Sequence, residues 1–202
     1  MNYLPSFLLA VTALYCLPAL GDDSLFNGKD LSNWETRGKA IWKVDDGEIL
    51  GGQDGDPKRS GLLISKESYR DFELSFEFKI DEHGKYNSGV YFRFHADRKG
   101  PRLQLNLGRG AAGEPVGLYL DDWLDKGDEN DEYRLPEEWN RIKLRVTGAK
   151  IEAWLNEQKI VEFEDADRLK HYLEPGRIAF QTYGAEDHSG WVKFRNIKMA
   201  RL

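Results

Sequence analysis

The sequence predicts an all-β fold made of two antiparallel sheets packed face to face as a sandwich, and three observations carry that prediction. Apolar and polar residues alternate at a period of two in run after run, most strictly from Asp71 to Ile80, which is the period of a half-buried strand. Gly, Asn, Asp and Pro turn signals separate about a dozen such runs, a spacing that fits a sandwich rather than helix-linked strands. The 202 residues include 6 Trp, 9 Tyr, 10 Phe and 20 Gly, a mixture that favours strands and tight turns. Several runs keep one plainly polar face, which argues against a closed barrel, and the length suits a single domain.

Taken in order, Ser24 to Trp34 places apolar anchors around an Asn27-Gly28 turn. Trp42 to Leu50 reads as a hairpin turning at Asp45-Asp46-Gly47. Gly51 to Ser60 has no hydrophobic residue and reads as a loop, and Leu62 to Ser65 as a short strand. From Asp71 to Ile80, Phe72, Leu74, Phe76, Phe78 and Ile80 face one way. Leu103, Leu105 and Leu107 alternate with Arg102, Gln104 and Asn106, and a Gly-rich loop over Gly108 to Pro115 leads into the strand Val116 to Leu120. Gly127 to Pro136 is acidic and reads as solvated. Strands follow at Ile142 to Thr147, Ile151 to Leu155 and Lys159 to Phe163, joined by tight turns at Gly148-Ala149-Lys150 and Asn156-Glu157. One or two helical turns fit Glu164 to Tyr172, and strands over Ile178 to Tyr183 and Trp191 to Met199 close the domain.

The first 21 residues differ from the rest. Phe7 to Leu17 is an uncharged apolar run, and Ala19-Leu20-Gly21 supplies small residues before Asp22-Asp23. This is the pattern of a secretory signal peptide, too short and too early for a stable membrane span. The expected mature domain is residues 22–202, secreted or periplasmic, with no membrane contact once the signal is removed. Cys16 is the single cysteine and lies inside that run, so the mature domain has no thiol chemistry and no disulfide. The net charge of -6 and the scatter of basic residues among acids exclude a nucleic-acid stripe. A neutral polar ligand or a cation suits that charge better than a polyanion.

The stretch Asn87-Ser88-Gly89-Val90-Tyr91-Phe92-Arg93-Phe94-His95 concentrates the functional signal. Strict alternation puts Val90, Phe92 and Phe94 in the core and Tyr91, Arg93 and His95 on a polar face. An antiparallel strand with one wet face shows the same pattern, so a ligand surface and a merely solvated face both fit. No phosphate-cradling glycine loop, no His-Glu-x-x-His pair and no Gly-x-Ser-x-Gly elbow occurs. His83, His95, His171 and His188 show no zinc spacing. Asp54-Gly55-Asp56 and Asp121-Asp122 carry oxygen ligands of the kind a hard cation takes but lack a calcium-loop spacing, and solvated loops account for them more simply.

Several of these segments form an ordered set: Leu25 to Trp34, Trp42-Lys43-Val44 with Asp46-Gly47, Tyr69 to Leu74, Asn87 to Arg93, Trp139-Asn140, Leu155-Asn156, Gly176 to Gln181 and Phe194 to Lys198. The set resembles the 3-keto-disaccharide hydrolase family of 3-keto-glucoside lyase/hydratase-like domains, over about Ser24 to Leu202. That resemblance implies a concanavalin A-like jelly roll whose concave sheet meets a carbohydrate, and cleavage of 3-keto-glycosides through loss of an acidic proton at C2. It implies Arg93 as the group holding the ketone or enolate oxygen, with His95 and Tyr183 moving protons. Tyr91, Gln104, Asn106, Tyr119 and Gln181 are the expected substrate-binding residues. It leaves the metal ligands open and is compatible with a divalent cation. Two positions depart from the family pattern: Arg102 stands where a Glu is expected, and Tyr183 where a His is expected. A noncatalytic carbohydrate-binding module of the same fold is therefore the alternative reading.

Overall fold

The computed structural model describes residues 23–56, 58–81, 87–108, 114–183 and 190–202. The signal-peptide expectation for residues 1–21, along with His83 and His188, lies outside the described residues. Among those described, the chain forms fifteen antiparallel strands, numbered here in chain order, and one short helix.

The larger sheet runs β13 (Gln158–Glu164), β12 (Lys150–Leu155), β11 (Asn140–Thr147), β6 (Phe72–Ile80), β15 (Trp191–Arg201), β4 (Glu48–Gly52), β3 (Ile41–Asp45), with β1 (Asp23–Ser24) pairing β15. The second sheet has seven strands in the order β10 (Trp123–Asp128), β9 (Val116–Tyr119), β8 (Gln104–Leu107), β7 (Asn87–Phe94), β14 (Gly176–Tyr183), β5 (Gly61–Tyr69), β2 (Trp34–Gly38). Each sheet combines runs of consecutive strands (β11 to β13, β7 to β10) with neighbours distant in sequence, such as β6 beside β15 and β7 beside β14. Such crossings between the two layers are the pattern of a jelly roll.

Alternation decides which side chains are inside. In β6 burial alternates residue by residue, so Phe72, Leu74, Phe76, Phe78 and Ile80 all enter the core as expected. From the second sheet come Trp34, Leu63, Val90, Phe92, Leu105, Leu118, Ile178 and Phe180. Aromatic rings bridge the layers: Phe180 lies 4.3 Å from Phe194 and 5.2 Å from Phe76 of the other sheet between ring centroids, with Trp34 of its own sheet at 5.6 Å, a cluster whose rings attract beyond simple burial. Residues 22–202 hold no cysteine, so this core rather than cross-links supplies the stability of the domain.

Two segments depart from the sequence reading. Trp34 to Gly38 is a strand, paired with β5, although only Trp34 is buried; an edge strand with one buried residue carries no alternation to detect. Gly127 to Pro136 is not simply solvated. Asp128 is buried and its carboxylate accepts bonds from the backbone N–H groups of Glu132, Tyr133 and Arg134, so the acid organises the turn instead of facing water. The short helix α1 (Ala166–Leu169) and the 3₁₀ turn Lys170–Tyr172 confirm the helical turns expected there, with Asp165 capping the helix through the Arg168 N–H.

The central strand β7 differs most. Phe94 pairs with Arg177 and Tyr91 with Ala179, so β7 advances three residues while β14 advances two. The extra residue is a bulge at Arg93, which adopts φ 48°. A bulge reverses the alternation beyond it. Phe94 therefore leaves the core and joins Ile64, Ala179 and Tyr91 in a separate apolar cluster on the outer face of the second sheet, and Arg93 turns inward. Gly176 makes room for the bulge: a Cβ there would stand 2.3 Å from the Arg93 carbonyl carbon.

Candidate functional site

The outer face of the seven-stranded sheet carries a polar and aromatic surface whose rows follow from strand register. One row crosses Glu35, Ile64, Ala179, Tyr91, Gln104, Tyr119 and Trp123. The next crosses Arg37, Leu62, Gln181, Gly89, Asn106 and Gly117. A third begins with the pair Tyr183 and Asn87. Five of the expected substrate-binding residues, Tyr91, Gln104, Asn106, Tyr119 and Gln181, thus fall in two adjacent rows on one face, and Tyr183 is exposed at its margin.

Hydrogen bonds fix the amides. Gln104 Nε2 donates to Gln181 Oε1 at 2.9 Å, and Asn106 Nδ2 donates to the Pro115 carbonyl at 2.8 Å. Each amide nitrogen keeps a second N–H. The Gln104 side chain lies directly over Gly89, where a Cβ would stand 2.0 Å from Gln104 Nε2. Gly89→Ala should therefore push Gln104 off Gln181 without touching the core. We expect unfolding stability close to wild type and ligand affinity weaker by about one hydrogen bond, roughly fivefold, read by calorimetric titration beside a urea melt; unchanged affinity would separate this amide pair from ligand binding.

Aromatic rings flank the amides. Tyr119 packs edge-on to Trp123 at 5.3 Å, and Tyr91 lies 6.0 Å from Phe94. Burial raises the pKa of the Tyr91 phenol, while the nearby Arg102 guanidinium works in the opposite direction. Arg102 also lies over the Phe94 ring at 5.3 Å, so the position where a family Glu is expected presents a cation stacked at one end of the face.

Arg93 does not stand on this face, which corrects its expected placement. Its side chain is fully buried. Nε donates to the Arg70 carbonyl at 2.8 Å, and one terminal nitrogen, Nη1, donates to the Gly148 and Tyr172 carbonyls at 2.7 and 3.2 Å. The other, Nη2, pairs with Asp71 Oδ1 at 3.1 Å, an oxygen that also accepts the Gly148 N–H. Burial pushes the guanidinium pKa down and Asp71 pushes it back up. Arg93 thus joins β7 to the β5–β6 turn, the β11–β12 turn and the 3₁₀ turn. His95 does not share the row of Tyr91 either. It lines, with Arg93, Arg98 and Tyr172, a cavity of only about 10 Å³, and its Nε2 is buried without a hydrogen-bond partner among the described residues. The bulge accounts for both corrections.

Sequence reasoning missed one carboxylate. Glu114, from the Gly-rich segment after β8, accepts a 3.0 Å hydrogen bond from Asn87 Nδ2. Asn87 stands opposite Tyr183 on the outer face, so an acid, an amide and a phenol gather at that margin. Only tertiary structure brings this loop back to the start of β7. The acidic pairs considered as cation ligands are otherwise engaged: Arg168 binds both Asp121 and Asp122, and Arg59 lies 3.5 and 3.6 Å from Asp54 and Asp56. Among the described residues no group of three His, Cys, Asp or Glu side chains is placed to hold a metal ion.

Comparison with known proteins agrees with this architecture. A 3-keto-disaccharide hydrolase of Bacteroides thetaiotaomicron is 25% identical, the alignment covering 89% of this chain and 78% of that protein. Among solved structures, a Bacillus subtilis protein of unknown function with a galectin-like fold superposes with a TM-score of 0.67 at 15% identity, covering 85% of this chain and 90% of that one. The carbohydrate-binding module CBM66 of Bacillus subtilis superposes with a TM-score of 0.56 at 16% identity, covering 83% and 95%. At these identities the two structures speak to the fold alone. The model of the 3-keto-alpha-glucoside-1,2-lyase-like domain matches residues 21–200, essentially the whole folded domain, and the chain belongs to that family.

Proposed function

We propose that this protein cleaves 3-keto-glycosides on the outer face of the seven-stranded sheet, outside the cytoplasm after loss of residues 1–21. The observation that carries the reading is the gathering of Glu114, Asn87 and Tyr183 at the margin of the Gln104–Gln181–Asn106 amide surface. A ketone at C3 acidifies the proton at C2. The Glu114 carboxylate takes that proton, and the C2 electron pair forms the enolate, whose oxygen is held by amide N–H groups of Gln104 and Asn106. The enolate then reforms the ketone and expels the C1 oxygen, leaving a C1–C2 double bond. Tyr183 gives its phenolic proton to the departing oxygen, and addition of water across the double bond completes net hydrolysis. Tyr91 and Tyr119 present ring faces and edges against the sugar. Arg93 has no part in these steps, because its guanidinium is spent on backbone carbonyls.

The direct test is incubation of the mature protein with 3-keto-trehalose or a chromogenic 3-keto-glucoside, with and without added divalent cations. Release of the aglycone or free glucose is expected. Sugar binding with no product under any condition would leave the domain as a carbohydrate-binding module, the reading favoured by its departures from the family pattern at Arg102 and Tyr183.

A further inference from the structure

We infer that the sugar bound on this face carries an anionic substituent, a carboxylate or sulfate, which Arg102 recognises. This deepens the proposed function and rests on its placement of the sugar on the outer face. The whole chain has a net charge of -6, yet the connection from β7 to β8 runs the other way, carrying Arg98, Lys99 and Arg102 against the single acid Asp97. Other arginines on this face are already engaged. Arg177 pairs with Glu35 at 2.6 Å and Arg37 donates to the Ala96 carbonyl at 2.8 Å. Arg98 makes the same kind of ring contact as Arg102, over Tyr172 at 5.4 Å, but is half-buried. Arg102 is exposed, stacks on Phe94 and has no carboxylate partner among the described residues. A ring contact engages the charge of the guanidinium but none of its N–H donors, and an exposed arginine of that kind suits bidentate capture of a carboxylate or sulfate.

Position narrows the ligand further. Arg102 lies two residues beyond Gln104, which pairs with Tyr91, so the Arg102 and Gln104 Cα atoms are about 7 Å apart along the chain. The anionic group therefore lies beside the part of the sugar held by Gln104, at the Tyr91 end of the face. One such group is no polyanion, so the acidic overall charge of the protein does not oppose it.

The test compares three matched trisaccharides by calorimetry on the mature protein: neutral, bearing one terminal glucuronate, and bearing one terminal sulfate ester. At least one anionic ligand should bind about tenfold tighter than the neutral one, as one charge-assisted contact supplies, with the advantage shrinking as salt rises. Arg102→Gln should reduce that preference to within about twofold without lowering the melting temperature. Equal affinity of all three ligands, or a preference that survives in Arg102→Gln, overturns the inference while leaving the sugar face standing, provided Gln181→Ala still weakens binding. Absence of binding by every ligand overturns the sugar face itself and this inference with it.

Discussion

Arg93→Met should destabilise the domain by about 3–5 kcal/mol, the largest stability effect expected of any single substitution described here. The guanidinium satisfies three backbone carbonyls and one carboxylate oxygen from three separate turns. Methionine fills much of the volume but leaves those acceptors facing a dry pocket, with the Asp71 charge left only to Arg70 at 3.9 Å and the Gly148 N–H. A loss of that size is a large share of the 5–15 kcal/mol that holds a typical domain together, and for a domain of this length it lowers Tm by about 10 °C. Urea unfolding should show a lower midpoint at an unchanged slope. Arg102→Met, on an exposed arginine that only stacks on a ring, should move stability by less than about 1 kcal/mol. A double-mutant cycle with Asp71→Asn isolates the ion-pair share. Near-normal stability in Arg93→Met combined with lost turnover would put Arg93 back among the residues that meet the sugar.

That contrast shows what was legible in the sequence. The two-sheet architecture was, because Phe72 to Ile80 keep a strict period of two that their burial follows, and Leu103, Leu105 and Leu107 enter the core as their alternation predicts. The shared face of Tyr91, Gln104, Asn106, Tyr119 and Gln181 was as well, because simple alternation within their own strands places them together. Alternation failed past Arg93, where one extra residue reversed the phase. The available hint was Gly176, a glycine at the start of a strand, where missing Cβ atoms often mark a bulge or a close backbone approach. Glu114 was illegible for another reason: no local rule says where a Gly-rich loop will deliver its last acid.

The segments that carry the family resemblance turn out to be mostly joints. Arg93 meets Arg70 and Asp71. Asn140 bonds the backbone of Leu135 and Glu138 and the side chain of Asn156, which in turn accepts the Arg141 N–H. Asn27 accepts the N–H groups of Lys29 and Asp30. Such residues define a scaffold and say little about the reaction run on it. The fold therefore follows from the motifs, whereas the chemistry has to be argued from the residues around Glu114.

Glu114→Gln is the sharpest probe of that chemistry. Gln has nearly the same shape and keeps an oxygen for the Asn87 amide, so the side chain should hold its place, but a neutral amide cannot accept the C2 proton. If Glu114 is the base, kcat on a 3-keto-glucoside should fall by about 10²–10⁴-fold, with KM within a few-fold of wild type because the amide and aromatic surface is untouched. Tyr183→Phe should also lower kcat, and more for poor leaving groups than for activated ones such as nitrophenolate, which depart without a proton. Exchange of the C2 proton with solvent deuterium gives a second readout, since it reports enolate formation without requiring bond cleavage. The wild type should catalyse that exchange, Tyr183→Phe should retain it, and Glu114→Gln should lose it. Exchange that persists in Glu114→Gln would place the base elsewhere on the face. Exchange absent even from the wild type, with sugar still bound, would mean that this scaffold holds the sugar without reacting with it.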